Sequence, residues 1–126
     1  MNILIIEDDK VTLKTLQHSM ELLGHNVQVA ESGEEAIKIT GNIKFDIIIS
    51  DIMMPGISGL SLVSVLRSVN LCTAPIIMMS ALNNKPLLDA AFKAGANDFI
   101  AKPFTMGDLA DKLQKYTPEK TNTFNN

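Results

Sequence analysis

The sequence has little of several features that mark whole classes of proteins. It has one cysteine, Cys72, in 126 residues, so no disulfide can form within the chain, and this suits a reducing cytosol. No run of 18 apolar residues is present, and no basic segment precedes a long apolar one at the N-terminus. The net charge of −3 does not provide the basic face that nucleic-acid binding needs. We therefore expect a cytoplasmic protein that binds neither membranes nor nucleic acids directly.

Histidines are also few, and their positions do not indicate a metal site. His18 lies on the polar face of a predicted helix, and His25 follows Gly24 in a loop. Neither histidine has a second ligand at a useful spacing, so both are interpreted as non-ligands. Apolar residues make up 46% of the chain and charged residues 20%, which is typical of a soluble globular domain. We expect one domain over residues 1–117 and a flexible polar tail over residues 118–126.

Short apolar segments alternate with segments of helical periodicity along the whole predicted domain. The alternation predicts an α/β domain with a doubly wound parallel sheet and helices on both of its faces. The strands are predicted at residues 2–6, 27–30, 45–50, 75–80 and 97–101. The first, third and fourth are the most apolar and belong in the centre. The order 2-1-3-4-5, which is flavodoxin-like, satisfies this and keeps the crossovers right-handed.

Two of the central strands end in carboxylates. The run Ile47-Ile48-Ile49-Ser50 leads to Asp51, and Ile3-Leu4-Ile5-Ile6 leads to Glu7 and Asp8. The predicted order places these strands side by side, where chain direction across the sheet reverses. Ligands of such sheets bind at the carboxyl ends of the strands at that point. Because neighbouring carboxylates repel one another, the pocket favours a hard divalent cation with oxygen ligands. We predict Mg²⁺ held by Asp8 and Asp51, by Glu7 directly or through water, and by the backbone carbonyl of Met53.

Two further side chains belong to the same edge of the predicted sheet. Lys102 follows the fifth strand and supplies a compact positive charge that suits a phosphate oxygen, while Ser80 ends the fourth strand and supplies a hydroxyl. Carboxylates, Mg²⁺, a lysine and a hydroxyl together favour phosphoryl transfer. Asp51 would act as the nucleophile and form an aspartyl phosphate. The metal and Lys102 would neutralise charge on the transferring oxygens.

Four segments carry a resemblance to a known family. They are Ile5 to Asp9, Ser50 to Gly56, Met79 to Ala81 and Ala94 to Phe104. In this order and at this spacing they resemble the receiver domain of two-component response regulators, the CheY-like domains, over essentially all of residues 1–117. The resemblance implies that Asp51 is the phosphoacceptor and that the donor is a histidine of a sensor kinase or a phosphotransfer protein. It also implies that Glu7 and Asp8 form the acidic pair for Mg²⁺, with Asp8 the direct ligand.

The resemblance implies a switch as well as an acceptor. Ser80 would be the switch hydroxyl that moves to the phosphoryl group, and Lys102 would contact the phosphate. Phe99 matches the aromatic position that turns inward once Ser80 moves, although without a hydroxyl its signal would be steric. The peptide bond between Lys102 and Pro103 would be cis. Ser58 stands where many relatives have aspartate, and it can still cap the third helix.

The output surface implied by the resemblance is formed by the fourth helix, the fifth strand and the fifth helix. Asp98, Asp108 and Lys112 resemble the charged network of receivers that dimerise. The fourth helix, however, has Leu87-Leu88-Asp89 where that network has a basic residue. An exposed Leu87 would favour an apolar docking site instead, so either a downstream protein or a second copy remains a candidate partner.

Helical spacing in the same segment allows another interpretation. Leu88, Ala91 and Phe92 share one face of the predicted fourth helix and suggest a core stripe.

Two apolar residues flank the predicted pocket. Met53 and Leu82 are expected to hinder the hydrolytic water, which would give a long-lived phosphoryl group. Beyond promoting its own phosphorylation and dephosphorylation, no enzymatic activity is expected.

Two other functions share parts of the pattern. A phosphohydrolase of the haloacid dehalogenase type also uses an aspartyl nucleophile, but it needs a second aspartate two residues later, where this chain has Met53. A flavin-binding electron carrier needs a hydroxyl- and glycine-rich loop after the first strand, and Glu7 to Asp9 would repel its phosphate. The sequence leaves open whether the chain is a stand-alone regulator or the receiver of a longer protein.

Overall fold

A computed structural model describes residues 1–117, in which strands and helices alternate. The predicted tail, residues 118–126, lies outside the described residues. The strands are β1 Asn2–Ile6, β2 Asn26–Ala30, β3 Ile47–Asp51, β4 Ile76–Ser80 and β5 Asp98–Ala101. The helices are α1 Lys10–Leu22, α2 Gly33–Thr40, α3 Gly59–Ser68, α4 Lys85–Ala94 and α5 Met106–Tyr116. Among residues 1–117, no helix has both the length and the apolar character needed to cross a membrane.

The sheet confirms the predicted fold class and strand order. All neighbouring strands are parallel, and the order is β2-β1-β3-β4-β5. In the register, Ile6 of β1 lies beside Ser50 of β3, and Ser80 of β4 lies beside Ala101 of β5. Strand β3 extends to include Asp51, one residue beyond the predicted strand end. The acidic ends of β1 and β3 are therefore neighbours at one edge of the sheet.

The central strands are buried on both faces, which explains their continuous apolar sequence. Successive side chains of a strand point to opposite faces, so each strand divides its residues between two cores. One core lies under α2, α3 and α4 and includes Leu4, Ile6, Ile48, Ile76 and Met78. The other lies under α1 and α5 and includes Ile3, Ile5, Ile47, Ile49, Ile77 and Met79. At about 1.5–3 kcal/mol for each large apolar side chain that is fully buried, these strands supply much of the driving force for folding.

Two residues face differently from the sequence prediction. Helical spacing predicts that Leu23 shares the apolar face of the first helix with Leu16 and Met20, but α1 ends at Leu22 and the Leu23 side chain is exposed. Phe92 was assigned to a core stripe of the fourth helix, but it is 47% exposed.

The inward face of α4 is instead formed by Leu87, Ala91 and Ala94, which pack against the core under α2, α3 and α4. Their spacing of four and three residues is as regular as the predicted one, so the sequence pattern did not distinguish the two registers. Leu87 is half-buried. The exposure of Leu87 that would favour an apolar docking site is therefore not observed.

Gly59 allows α3 to begin in direct contact with the end of β3. Its backbone N–H donates to the carbonyl of Ile52 at 2.8 Å. A Cβ atom at this position would lie 2.5 Å from the carbonyl oxygen of Asp51 and 2.6 Å from Cα of Ile52. Both neighbours are backbone atoms, which have little freedom to move away. The close approach at Gly59 thus fixes the main chain that carries Asp51.

We expect Gly59→Ala to lower the free energy of unfolding by about 1–3 kcal/mol, because the added methyl group overpacks against backbone. Urea denaturation followed by circular dichroism measures the change. Gly107→Ala in α5 is the matched control, since its Cβ would meet its nearest atom at 3.6 Å. There the helix preference of alanine should leave stability unchanged or raise it by up to about 1 kcal/mol. Equal effects of the two substitutions would contradict this account of Gly59.

Candidate functional site

The carboxyl edge of the sheet brings together an acidic cluster from two neighbouring strands. Because Ile6 lies beside Ser50, the residues that follow them, Glu7 and Asp51, are also brought side by side. One carboxylate oxygen from each of Glu7, Asp8 and Asp51 lies within 4.8 Å of the others. Glu7 is 1% exposed and Asp51 6% exposed, whereas Asp8 faces solvent. The three acidic residues that the sequence assigned to one pocket therefore do lie together.

Lys102 enters the cluster from the next strands along the sheet. Its backbone N–H donates to the carbonyl of Ser80 at 2.8 Å, which fixes the chain just beyond β5. Its ammonium donates to Oε1 of Glu7 at 2.7 Å and lies 3.4 Å from Oδ2 of Asp51. Burial disfavours the charged form, but the hydrogen bond to Glu7 and the charges of Asp51 and Glu7 outweigh it and raise the pKa of Lys102. The ammonium consequently remains charged at neutral pH.

The charges in the pocket do not balance. Three carboxylates face a single ammonium within this cluster, so a negative excess remains. A divalent cation is the natural complement, and a donor set made only of oxygen atoms is the type that Mg²⁺ prefers. The residues present therefore fit a magnesium ion. The cluster combines this fit with a nucleophilic carboxylate and a fixed positive charge.

Ser80 lies at the same edge, buried behind the acidic cluster. Its side chain is fully buried, and its Oγ accepts a hydrogen bond from the backbone N–H of Leu82 at 3.0 Å. Phe99, on β5, is half-buried and packs against the core under α2, α3 and α4. The Lys102–Pro103 peptide bond is cis. The residues predicted as switch and phosphate contact thus lie on neighbouring elements: Ser80 ends β4, Phe99 lies on β5, and Lys102 directly follows β5.

One contributor to the site, Asp9, was not given a role from the sequence. The backbone N–H of Asp9 donates to Oε2 of Glu7 at 3.1 Å, so both oxygens of Glu7 are engaged, one by Lys102 and one by Asp9. The side chain of Asp9 caps α1 by accepting from the backbone N–H of Thr12. An aspartate just before an amphipathic helix is a typical N-cap signal, and it could have identified this role.

Met53 and Leu82, which the sequence predicts to flank the pocket, follow Asp51 and Ser80 by two residues each. Their side chains are 57% and 51% exposed. The backbone N–H of Met53 donates to Oδ1 of Asp51 over a long 3.4 Å. The two apolar side chains therefore face solvent beside the pocket and are not packed into the core.

The charged residues of the predicted output surface are engaged within the chain. Asp98 accepts hydrogen bonds from the ammonium of Lys112 at 2.8 Å and from the hydroxyl of Tyr116 at 3.1 Å. Burial raises the pKa of Asp98, but the hydrogen bonds from Lys112 and from the Phe99 amide outweigh that effect, and the pKa is lowered overall. Asp108 forms the capping box of α5 with Thr105. These partners lie in the same chain.

Comparison with known proteins gives a consistent result. The family model described as the response regulator receiver domain matches residues 3–114. The chain is 33% identical over 113 residues to a cyclic di-GMP phosphodiesterase of Thermotoga maritima, covering 90% of this chain and 30% of that protein. It is 31% identical over 114 residues to the response regulator MprA of Mycobacterium sp. strain KMS, covering 90% and 49%. The chain thus spans less than half the length of these two curated relatives.

Solved structures agree in fold. The chemotaxis protein CheY4 of Vibrio cholerae superposes with a TM-score of 0.87 at 26% identity, covering 92% of this chain and 98% of that one. The receiver domain of the sensor histidine kinase PA1611 from Pseudomonas aeruginosa has a TM-score of 0.83 at 28% identity, with coverages of 91% and 95%. That structure has a magnesium ion coordinated in its active-site cleft. With an acidic pocket that fits their phosphorylation site, this chain belongs to the receiver domains of two-component response regulators.

Proposed function

We propose that Asp51 accepts a phosphoryl group from a phosphohistidine of a sensor kinase or a phosphotransfer protein. A carboxylate oxygen of Asp51 attacks phosphorus, the phosphorus–nitrogen bond breaks, and its electron pair leaves with the histidine. The observation that carries the proposal is the placement of a nearly buried Asp51 between the Lys102 ammonium and the oxygens of Glu7 and Asp8. Phosphoryl transfer needs positive charge around the phosphoryl oxygens and a nucleophile held in line with the bond that breaks. In this pocket the Lys102 ammonium supplies positive charge, and the Asp51 carboxylate supplies the nucleophile.

Magnesium is proposed to bind through Asp8 and Asp51, with the backbone carbonyl of Met53 as a third protein ligand. When bound, it would supply positive charge to the phosphoryl oxygens. Because both oxygens of Glu7 already accept hydrogen bonds, Glu7 is proposed to act through water and to hold Lys102 in place. The exposure of Asp8 supports its role as the direct ligand of the pair.

Ser80, Lys102 and Phe99 are proposed to convert phosphorylation into a change of surface. Lys102 already lies 3.4 Å from an Asp51 oxygen, so a short movement brings it to a phosphoryl oxygen. The Ser80 hydroxyl can give up its hydrogen bond from the Leu82 amide and form one with the phosphoryl group instead. Phe99 packs on the side of the sheet that α4 covers, so movement of Ser80 and of the segment before α4 would alter its packing. The output is proposed to appear on the surface of α4, β5 and α5.

A downstream protein is proposed as the partner at that surface, in preference to a charged dimer with a second copy. Asp98 and Lys112 satisfy one another within the chain, and Asp108 is occupied as a helix cap. Helix α4 contributes the exposed Phe92 at this surface. The chain itself is proposed to promote only its own phosphorylation and dephosphorylation. The cyclic di-GMP phosphodiesterase of Thermotoga maritima is matched over 30% of its length, and its activity is not proposed for this chain.

Acetyl phosphate with Mg²⁺ is expected to add one phosphoryl mass to the chain in intact-mass spectra. Asp51→Asn should abolish the gain, because the amide is not a nucleophile, and removal of Mg²⁺ with a chelator should do the same. Asp46→Asn is the matched control, since Asp46 is an exposed carboxylate bound to the Asn2 amide at the opposite edge of the sheet. It should be phosphorylated like the parent chain. No gain of mass in the parent chain under any condition would refute the proposal.

The phosphoryl group is expected to persist for minutes or longer at room temperature, because the exposed apolar side chains of Met53 and Leu82 are proposed to hinder the hydrolytic water. Decay is followed by intact mass after the donor has been removed. Leu82→Asn should shorten the half-life by roughly threefold or more, since a hydrogen-bonding side chain can hold that water. A half-life of seconds in the parent chain would contradict this role of the two residues.

Sedimentation velocity should give the same monomer mass before and after phosphorylation. A charged dimer is not expected, because α4 has Leu87-Leu88-Asp89 where the charged network has a basic residue, and because Asp98 and Lys112 already pair within the chain. Asp98→Asn serves as a comparison, since it releases Lys112 for other contacts. A phosphorylation-dependent dimer of the parent chain would favour a second copy as the partner of this surface.

A further inference from the structure

The methionines of this chain differ sharply in their exposure. All seven lie within residues 1–117. Met20, Met54, Met78 and Met79 are 8% exposed or less and belong to the two cores. Met1 and Met106 are half-buried and pack against the core under α1 and α5. Met53, in contrast, is 57% exposed. An oxidant dissolved in water therefore reaches one thioether far more easily than the other six.

The exposed Met53 lies two residues beyond Asp51, so modification of its side chain can affect the phosphoacceptor. The backbone N–H of Met53 donates to the Asp51 carboxylate over 3.4 Å, and its side chain is exposed to solvent. Buried Met54, next in sequence, fills space in the core, whereas Met53 gains little from packing. A change of polarity at Met53 is thus tolerated by the fold, yet it alters the environment of the phosphoacceptor.

We propose that Met53 is a redox modification site, at which a peroxide or a hypohalous acid forms methionine sulfoxide and thereby shortens the life of the phosphoryl group on Asp51. The inference about lifetime rests on the proposed function of Asp51. The inference about oxidation rests only on the exposure of Met53 and on thioether chemistry.

The step balances with hydrogen peroxide as the oxidant. A lone pair of the Met53 sulfur attacks one peroxide oxygen, the oxygen–oxygen bond breaks, and a sulfur–oxygen bond forms. The departing hydroxide takes the proton from the transferred oxygen and leaves as water. Sulfur loses two electrons, and the peroxide gains them. The product belongs to the oxidation level that methionine sulfoxide reductases restore to methionine.

The expected effect on phosphoryl lifetime follows from the new polar group. The parent thioether is a weak hydrogen-bond acceptor, so it does not hold a water molecule in a fixed position. A sulfoxide oxygen is a strong acceptor and holds a water molecule by its hydrogen atoms, which leaves the water oxygen free to attack phosphorus. A fixed acid–base group raises a reaction rate by about a hundredfold or more, and a flexible side chain positions water less well than such a group. We therefore expect the half-life to fall by about three- to tenfold.

Peptide mass mapping after graded hydrogen peroxide tests the site itself, without magnesium or a phosphodonor. Met53 should gain one oxygen atom at the lowest dose. Met1 and Met106 should follow at rates lower by about fivefold or more, and the four buried methionines should react last. Comparable rates at Met53 and Met106 would overturn the proposal.

The half-life of phosphorylated Asp51, measured by intact mass, tests the consequence. Peroxide treatment should shorten it in the parent chain and in Met106→Leu, the matched control, since Met106 is half-buried against the core under α1 and α5. Met53→Leu should be insensitive to peroxide, because leucine has no sulfur. Met53→Gln, which carries a permanent hydrogen-bonding group, should have a short half-life without oxidant.

The outcomes separate this inference from the proposed function. If the parent chain and Met53→Leu both gain a phosphoryl mass at Asp51, the proposed function stands whatever peroxide does. Oxidation confined to Met53 with an unchanged half-life would then overturn the regulatory part of the inference alone. A parent chain that oxidises at Met53 but never gains a phosphoryl mass would instead refute the proposed function of Asp51.

Discussion

The adjacency of β1 and β3 is the constraint on which the rest of the site depends. Parallel pairing forces both strands to end at the same edge, so Glu7 and Asp51 are brought together by main-chain hydrogen bonds and not by any attraction between their side chains. The carboxylates repel one another, and the folding energy of two buried, almost purely aliphatic strands is what holds them in place. That repulsion is the property that makes the pocket receptive to a cation and to the positive end of Lys102.

Lys102 links the acidic ends of β1 and β3 to the neighbouring strands β4 and β5 at the same edge of the sheet. Its main chain is bound to Ser80 of β4, while its ammonium spans the pocket to Glu7. A change of charge at Asp51 therefore acts directly on Lys102, whose ammonium lies 3.4 Å from Oδ2 of Asp51, and the proposed switch adds the Ser80 hydroxyl at the end of β4. The surface of α4, β5 and α5 is thus connected to the phosphoacceptor through Lys102, which directly follows β5. None of these three elements carries a carboxylate of the pocket.

Helix α4 is the element with the weakest attachment to the sheet among those around the site. Ala91 is its one fully buried residue, and its remaining inward contacts come from the partly buried Leu87 and Ala94. Its carboxyl end is held more firmly, because Arg67 of α3 donates to the carbonyl of Gly95 and to the side chain of Asn97. A helix that is held at one end and lightly packed along its length can adjust at low cost, which is consistent with the proposed response of α4 to movement of Ser80.

The sequence could predict the order of the strands, because apolar runs of strand length are local patterns. For the same reason it could predict that one site groups the carboxylates that end these runs with a hydroxyl and a lysine, namely Glu7, Asp8, Asp51, Ser80 and Lys102. The register of α4 could not, since Leu87 and Leu88 are equally apolar, and packing against α3 decided which faced inward. The sequence likewise offered no sign that Glu7 would occupy both of its oxygens with Lys102 and Asp9, or that Met53 would be exposed while Met54 was buried. Those outcomes depend on distances across the sheet and on the path of the β3–α3 turn, which exist only once the strands have assembled.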